Sequence, residues 1–296
     1  MASGERKQAV GVVGLGFIGA ALAERLMNAG YEVHGFDVDA SRVDALTRNG
    51  LKPARSALEI GRACNPVVVA VYDTPQVVEV VEGPHGLVEA AEGDRLIVVC
   101  ATTCEPEPVA LLARRASKVG ISLIEFPLTG NSAQVRLGEA LALVAGEPQA
   151  IADAKPVLDA LCPARFEIGG AGDAARAKLA MTLVLQLNRC ALAEGLVFAA
   201  RMGLDLNAFL RVLAASPAHS NVMEAKGQKM IQGDYTPASH IAQTLRDAHL
   251  ILEEARRAGQ PLPLMEINTA LLSATVELGG GERDSSAVIE AIRAKR

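Results

Sequence analysis

The chain has 296 residues, half of them apolar, and carries a formal charge of −5 from 29 basic and 34 acidic side chains. That length accommodates two domains with sizeable cores, and the mild acidity, with no lysine or arginine block, argues against nucleic acid or an anionic membrane as a partner. Aromatic residues make up 3% and tryptophan is missing, so the core has to be built from Ala, Val, Leu and Ile, which suits parallel sheets and closely packed helices.

The opening stretch MASGERKQ is polar and has no apolar signal region. No apolar run reaches membrane-spanning length without a charge or a breaker, so the expected location is the cytoplasm. Cys64, Cys100, Cys104, Cys162 and Cys190 are scattered, odd in number and without metal-ligand spacing. They read as reduced thiols, and no metal site is expected.

Gln8 to Val13 is an apolar, valine-rich run of strand length, and Gly14, Gly16 and Gly19 follow in the order G-x-G-x-x-G. Helical spacing then runs from Phe17 to Asn28 and stops at Gly30, and a second strand pattern covers Tyr31 to Phe36 before Asp37. A glycine triplet alone is weak, but between a strand and a helix it reads as a dinucleotide loop. Gly14 permits the tight turn, Gly16 lets the backbone approach a pyrophosphate, and Gly19 lets helix and strand pack closely. The free N–H groups and positive dipole end of the helix face the phosphates. Asp37 stands about twenty residues beyond the glycines, where a carboxylate accepts from ribose hydroxyls and repels an added phosphate. NAD is therefore the expected cofactor, with NADP disfavoured.

Further strand patterns follow at Val67 to Tyr72, Arg95 to Ala101 and Ile121 to Glu125, separated by helical stretches at Gln76 to Glu82 and Pro106 to Val119. Two more strands, Glu139 to Ala145 and Arg165 to Ile168, bracket a helix from Pro148 to Leu161. This alternation predicts an α/β fold, a Rossmann-like doubly wound parallel sheet. Asp173 to Arg201 then reads as one long helix, apolar on most of its circumference and therefore expected to be buried. Beyond it come helical patterns alone, at Leu206 to Ala214, Asn221 to Ile231, Ile241 to Arg257, Leu264 to Leu278 and Ser286 to Lys295. The expected architecture is a nucleotide-binding domain over 1–170 and an all-helical domain over 171–296, joined by the long helix.

That helix carries Lys178, Thr182, Gln186 and Arg189 at spacings that place them on roughly one face. Oxidising an alcohol with a nicotinamide needs a group to take the hydroxyl proton, and a partly desolvated lysine suits that task. An ordinary surface ion pair explains a lone lysine equally well. In PLTGNS, Pro127 ends a strand at its carboxyl end, Thr129 offers a hydroxyl, and Gly130 with the following residues offers N–H groups. Together they read as an anion pocket or as a plain turn.

Taken in order, these segments resemble the β-hydroxyacid dehydrogenase family over nearly the whole chain. GVVGLGFIG is similar to its cofactor signature, with Ile18 where methionine is usual, and FPLTGNSAQVRLGEALALVAG is similar to its substrate signature, D-A-P-V-S-G-G. GGAGDAARAK resembles the G-x-G-x-x-x-K catalytic signature, ATTCEP the S-T-x-x-P segment, and TLRDAHLILEEA the K-D-L-x-L-A segment. The resemblance implies that Lys178 is the acid/base. It assigns Gly14, Gly16, Phe17, Ile18, Gly19, Asp37, Thr102, Thr103 and Arg246 to the cofactor, and Thr129, Gly130, Asn131, Thr182 and Asp247 to a small hydroxy acid. It further implies a homodimer or homotetramer.

The departures fall on the substrate side. Thr182 replaces the usual asparagine, with Met181 before it. Thr129 replaces serine, Asn131 replaces the second glycine, and Ser239 replaces an aromatic residue beside His240. His219 or His240 is a further candidate to contact a polar substrate, although a helix-end histidine is more often structural. Three readings follow: an NAD-dependent dehydrogenase of a small β-hydroxy acid, a semialdehyde or imine reductase relative with an altered substrate, and a dinucleotide-binding protein without catalysis. Retention of Lys178 disfavours the imine branch.

Overall fold

The structure, a computed structural model, describes residues 8–91 and 95–294. The polar stretch at 1–7, where a signal sequence was not expected, and Lys295, the expected end of the last helix, lie outside the described residues. Compactness divides the chain into one unit ending at Lys178 and another beginning at Leu179.

The first unit is built on a single sheet. Its strands are β1 (Ala9–Val13), β2 (Glu32–Phe36), β3 (Lys52–Pro53), β4 (Val67–Val69), β5 (Leu96–Cys100), β6 (Ile121–Glu125), β7 (Leu128–Thr129), β8 (Leu141–Ala145) and β9 (Arg165–Gly169). They lie in the order 3-2-1-4-5-6-8-7, with β9 on β8. The helices are α1 (Phe17–Asn28), α2 (Ala40–Thr47), α3 (Ala57–Ala63), α4 (Thr74–Glu82), α5 (Pro106–Ser117), α6 (Ser132–Leu137) and α7 (Pro148–Leu161).

The period of two along β1 explains the double winding. Val10 and Val12 enter a core with Leu22, Leu26 and Leu158 of α1 and α7. Val13 enters another with Ile60, Val109 and Leu112 of α3 and α5. Strand order reverses between β1 and β4, so a crevice opens beyond their carboxyl ends, where open α/β sheets hold ligands.

The sheet departs from the all-parallel expectation at one side. β8 runs antiparallel to β6 through Glu125 and Ala145, and antiparallel to β7 through Leu128 and Ala142. The residues between β6 and β8 are spent on β7 and the six-residue α6, so the chain doubles back instead of making a helical crossover.

The helix α8 (Asp173–Arg201) begins in the first unit, where Ala175 joins the core beneath β5 and β6. Its remainder, with α9 (Leu206–Ala215), α10 (Asn221–Gln232), α11 (Ile241–Arg257), α12 (Pro263–Thr275) and α13 (Val288–Ala294), forms the second unit. Leu192, Leu196, Met230, Ile251, Leu272 and Ile289 meet at its centre. Two polar crosslinks run through this apolar core. Gln186 donates to the Thr244 carbonyl at 3.0 Å and accepts from Asn268 at 2.9 Å, tying α8 to α11 and α12. Lys226 grips both oxygens of the fully buried Asp284 at 2.8 Å.

The long helix is less buried than its composition predicts. Val184 and Phe198 are 56% and 65% exposed, because no other element of the described chain covers that stripe. By length and composition α8 is also the one helix among the described residues able to cross a membrane. Its Lys178, Gln186 and Arg189 are nonetheless buried within the protein.

Candidate functional site

Two of the three glycines are demanded by the protein itself. Gly14 has φ +88°, and a Cβ there would come within 2.5 Å of the Ala70 carbonyl oxygen; at Gly19 the added atom would meet the Gly14 carbonyl oxygen at 1.8 Å. Gly16 differs. A Cβ there would meet nothing nearer than Arg42 Nη1 at 3.9 Å, so the space above it is clear of protein. α1 starts from Gly16 with no side-chain cap and no acidic residue in its first turn. By contrast, Asp39, Ser56, Asp73 and Asn131 cap α2, α3, α4 and α6. A bare, positively polarised helix end under an open glycine is suited to a pyrophosphate, so the residues present fit a dinucleotide.

Asp37 lies at the end of β2 and is 9% exposed. Its carboxylate accepts from Leu15 N at 2.6 Å and from Asp39 N at 2.9 Å. It is thereby fixed to the glycine loop, with its charge beside the expected ribose position. Phe17 is 59% exposed at the loop, whereas Ile18 packs on the core below. Thr102 has a structural task, because its hydroxyl both accepts from Val71 N at 3.1 Å and donates to Val71 O at 3.0 Å. It pins the loop after β5 to the loop after β4, with half-buried Thr103 next in line.

Lys178 belongs to the second turn of α8 and is buried, with Nζ donating to the Leu128 carbonyl at 2.7 Å. That contact brings the ammonium to the segment holding Thr129 and Gly130. Asn131 caps α6: its side chain accepts from Gln134 N at 3.0 Å, and its own N–H is taken by the Gln134 side chain at 2.9 Å. An anion pocket at this turn therefore has one N–H fewer than the sequence suggests and relies on Thr129 and Gly130.

Glu125 is a functional candidate that the sequence reading missed. It ends β6, is 3% exposed, and accepts from Gly172 N and, at 2.9 Å, from Ala175 N. It thus caps the lysine-bearing helix from 50 residues away. Burial pushes its carboxyl above the ordinary range, and the Gly172 and Ala175 N–H groups oppose that. The available signal was its place at the acidic first position of the substrate signature.

The second unit holds the remaining candidates. Thr182, one turn beyond Lys178 on α8, is buried, and its Oγ1 has no hydrogen-bond partner among the described residues. Arg189 is buried too, and its Nε likewise has no partner. Burial lowers its pKa to about 10, against the pull of Asp284 and Asp247. Asp247 on α11 accepts from Arg246 Nη2 at 2.8 Å. His219 faces Glu224 at 3.4 Å, and His240 shares its Nδ1 with the Glu282 carbonyl at 2.8 Å. Both histidines thus have local structural partners. Among the described residues no cluster of three or more His, Cys, Asp or Glu is placed to hold a metal.

A mostly parallel sheet with an open glycine loop at its switch point, followed by a helical unit, defines a dinucleotide-binding protein. Residues 9–170 match the family described as the NAD binding domain of 6-phosphogluconate dehydrogenase. Residues 170–292 match the one described as NAD-binding of NADP-dependent 3-hydroxyisobutyrate dehydrogenase. L-threonate dehydrogenase of Cupriavidus necator is 29% identical over 95% of each chain. The 2-hydroxy-3-oxopropionate reductase of Escherichia coli is 28% identical over 96% of each. The crystal structure of 3-hydroxyisobutyrate dehydrogenase from Salmonella typhimurium superposes with a TM-score of 0.86 at 26% identity, covering 96% of this chain and 99% of that one. The chain belongs to the β-hydroxyacid dehydrogenase family.

Proposed function

We propose that the protein oxidises a small β-hydroxy acid to the corresponding semialdehyde or keto acid, with NAD preferred and Lys178 as the general acid/base. The observation that carries this reading is the buried Lys178 Nζ bonded to Leu128 O, one residue from Thr129. The bound nicotinamide supplies the hydride acceptor. Gly16 and the first turn of α1 hold the pyrophosphate, and Asp37 takes the ribose hydroxyls. Phe17, Ile18, Thr102, Thr103 and Arg246 complete the assignment to the cofactor, with Thr102 acting through the loop it pins.

Thr129 and Gly130 orient the carboxylate, while Thr182 and Asp247 belong to the substrate side. Lys178 Nζ, as the neutral amine, takes the hydroxyl proton as the carbon is oxidised; in the reverse direction the ammonium so formed returns it to the carbonyl oxygen. The bond to Leu128 O fixes Nζ, so the group is oriented before substrate arrives. The expected division of labour is nucleotide binding by 1–170 and substrate binding with self-association by 171–296. The uncovered Val184 and Phe198 favour a homodimer or homotetramer. A cytoplasmic location fits a reaction drawing on the soluble nicotinamide pool.

The test follows NADH absorbance while L-threonate, 3-hydroxyisobutyrate and 3-hydroxypropionate are each offered to the wild type and to Lys178→Ala. Turnover of at least one acid by the wild type and its loss in the variant are expected. NADH binding with no turnover of any acid in either direction favours a non-catalytic dinucleotide-binding protein.

A further inference from the structure

The helical unit buries a cation that no carboxylate answers. Arg189, on α8, is 8% exposed, and its Nε has no hydrogen-bond partner among the described residues. Two carboxylates, Asp284 and Asp247, pull on it through charge alone, and both are bonded elsewhere. Asp284 accepts from Lys226 Nζ at both oxygens, from Ser286 N at 3.0 Å and Oγ at 2.8 Å, and from Ala238 N at 3.0 Å. Asp247 Oδ1 accepts from Arg246 Nη2 at 2.8 Å and from Arg246 Nε at 3.2 Å. Within this set Arg189, Lys226 and Arg246 stand against two carboxylates, so one positive charge is left over. Even with its pKa lowered to about 10 by burial, Arg189 is cationic at neutral pH. A charge so deeply buried ordinarily has a counter-charge beside it.

We propose that Arg189 binds a small oxyanion, a carboxylate or a phosphate, at a site inside the helical unit that is separate from the reacting centre proposed at Lys178. The planar fork of a guanidinium matches two oxygens of either group, whereas chloride offers it a single atom. Eleven residues of α8 separate Lys178 from Arg189, about 16 Å at the rise of a helix. Long side chains on a helix lean toward its N-terminus, so both charged ends are displaced the same way and the gap persists. One small hydroxy acid bonded at Lys178 therefore does not reach Arg189, and the inference stands whether or not the oxidoreductase reading holds. A bound oxyanion cancels the surplus charge beside the Lys226–Asp284 pair and stabilises the folded unit by mass action.

The test is thermal unfolding of the whole protein in sodium phosphate, malonate or chloride at equal ionic strength, in the low millimolar range where general salt exclusion is small. Wild type, Arg189→Met, Arg189→Lys and Lys178→Ala are compared. Phosphate or malonate is expected to raise the wild-type midpoint by about 3 °C or more beyond chloride, with saturation. A larger rise in phosphate identifies a phosphorylated ligand, and a larger rise in malonate a carboxylate. Arg189→Met should lose more than half of the excess, Arg189→Lys should keep part of it, having the charge without the fork, and Lys178→Ala should keep all of it. No excess over chloride in the wild type overturns the inference, because the guanidinium then holds solvent alone. An equal excess in Arg189→Met overturns it too, and loss of the excess in Lys178→Ala moves the anion to the reacting centre.

Discussion

Lys178 Nζ donates to the backbone carbonyl of Leu128 at 2.7 Å, so the proposed acid/base is oriented toward the segment that holds Thr129 and Gly130. Lys178→Ala should lower kcat by about 10²-fold or more and leave the NADH dissociation constant nearly unchanged. Steady-state kinetics beside a fluorescence titration check this, and wild-type turnover in the variant would remove Lys178 from the mechanism.

Glu125 should influence both stability and catalysis. Its loss leaves Gly172 N and Ala175 N without their acceptor at the buried start of α8, and each orphaned donor costs about 1–3 kcal/mol. Glu125→Ala is expected to lower the denaturation midpoint and to reduce kcat more than it raises the KM for the dinucleotide, because the lysine moves with its helix. Glu125→Gln keeps one acceptor and should lie between. Urea unfolding and a comparison of kcat with KM separate the two effects; a Glu125→Ala protein as stable as wild type contradicts the capping role.

The second unit should carry an acid-sensitive contact at Asp284. Burial alone would raise its carboxyl, but Lys226 and the N–H groups of Ser286 and Ala238 outweigh burial and bring it down to about 2. A folded pKa below the unfolded one contributes stability that is complete above about pH 4 and is lost as pH falls toward 2. The shift corresponds to about 2 kcal/mol. The difference in unfolding free energy between wild type and Asp284→Asn should therefore shrink between pH 5 and pH 2.5. A constant difference would show that the charge on Asp284 does not matter.

Thr182 should tune substrate choice. It follows Lys178 by one helical turn, and its hydroxyl has no partner among the described residues, so a substrate polar group can be its complement. Threonine offers one hydroxyl and a methyl where asparagine offers an amide donor and an acceptor. A lost buried hydrogen bond costs about 1–3 kcal/mol, so small polar acids should be poorer substrates here than for an asparagine enzyme. Thr182→Asn is expected to raise kcat/KM for 3-hydroxypropionate relative to a bulkier β-hydroxy acid; identical rankings would mean that Thr182 does not face the substrate.

The sequence by itself determined the two-part architecture. Apolar period and glycine placement are local properties, so they set β1, α1, β2 and the full extent of α8, which runs from Asp173 to Arg201 as its uninterrupted pattern predicts. The short elements α2, α3, α6, β3 and β7 were not legible, because pieces of two to eight residues carry too few periods to register. Tertiary structure alone decided the antiparallel turn of β8, the exposure of Val184 and Phe198, and the partners of each polar side chain. Glu125 and Gly172 are 47 residues apart, and Lys178 and Leu128 are 50 apart. Arg42 meets Asp37 because α2 turns back over the end of β2. A periodic pattern states which face of an element is apolar; where that face docks, and so which charge meets which carbonyl, follows only when the sheet closes and buried polar groups must find partners or remain unsatisfied.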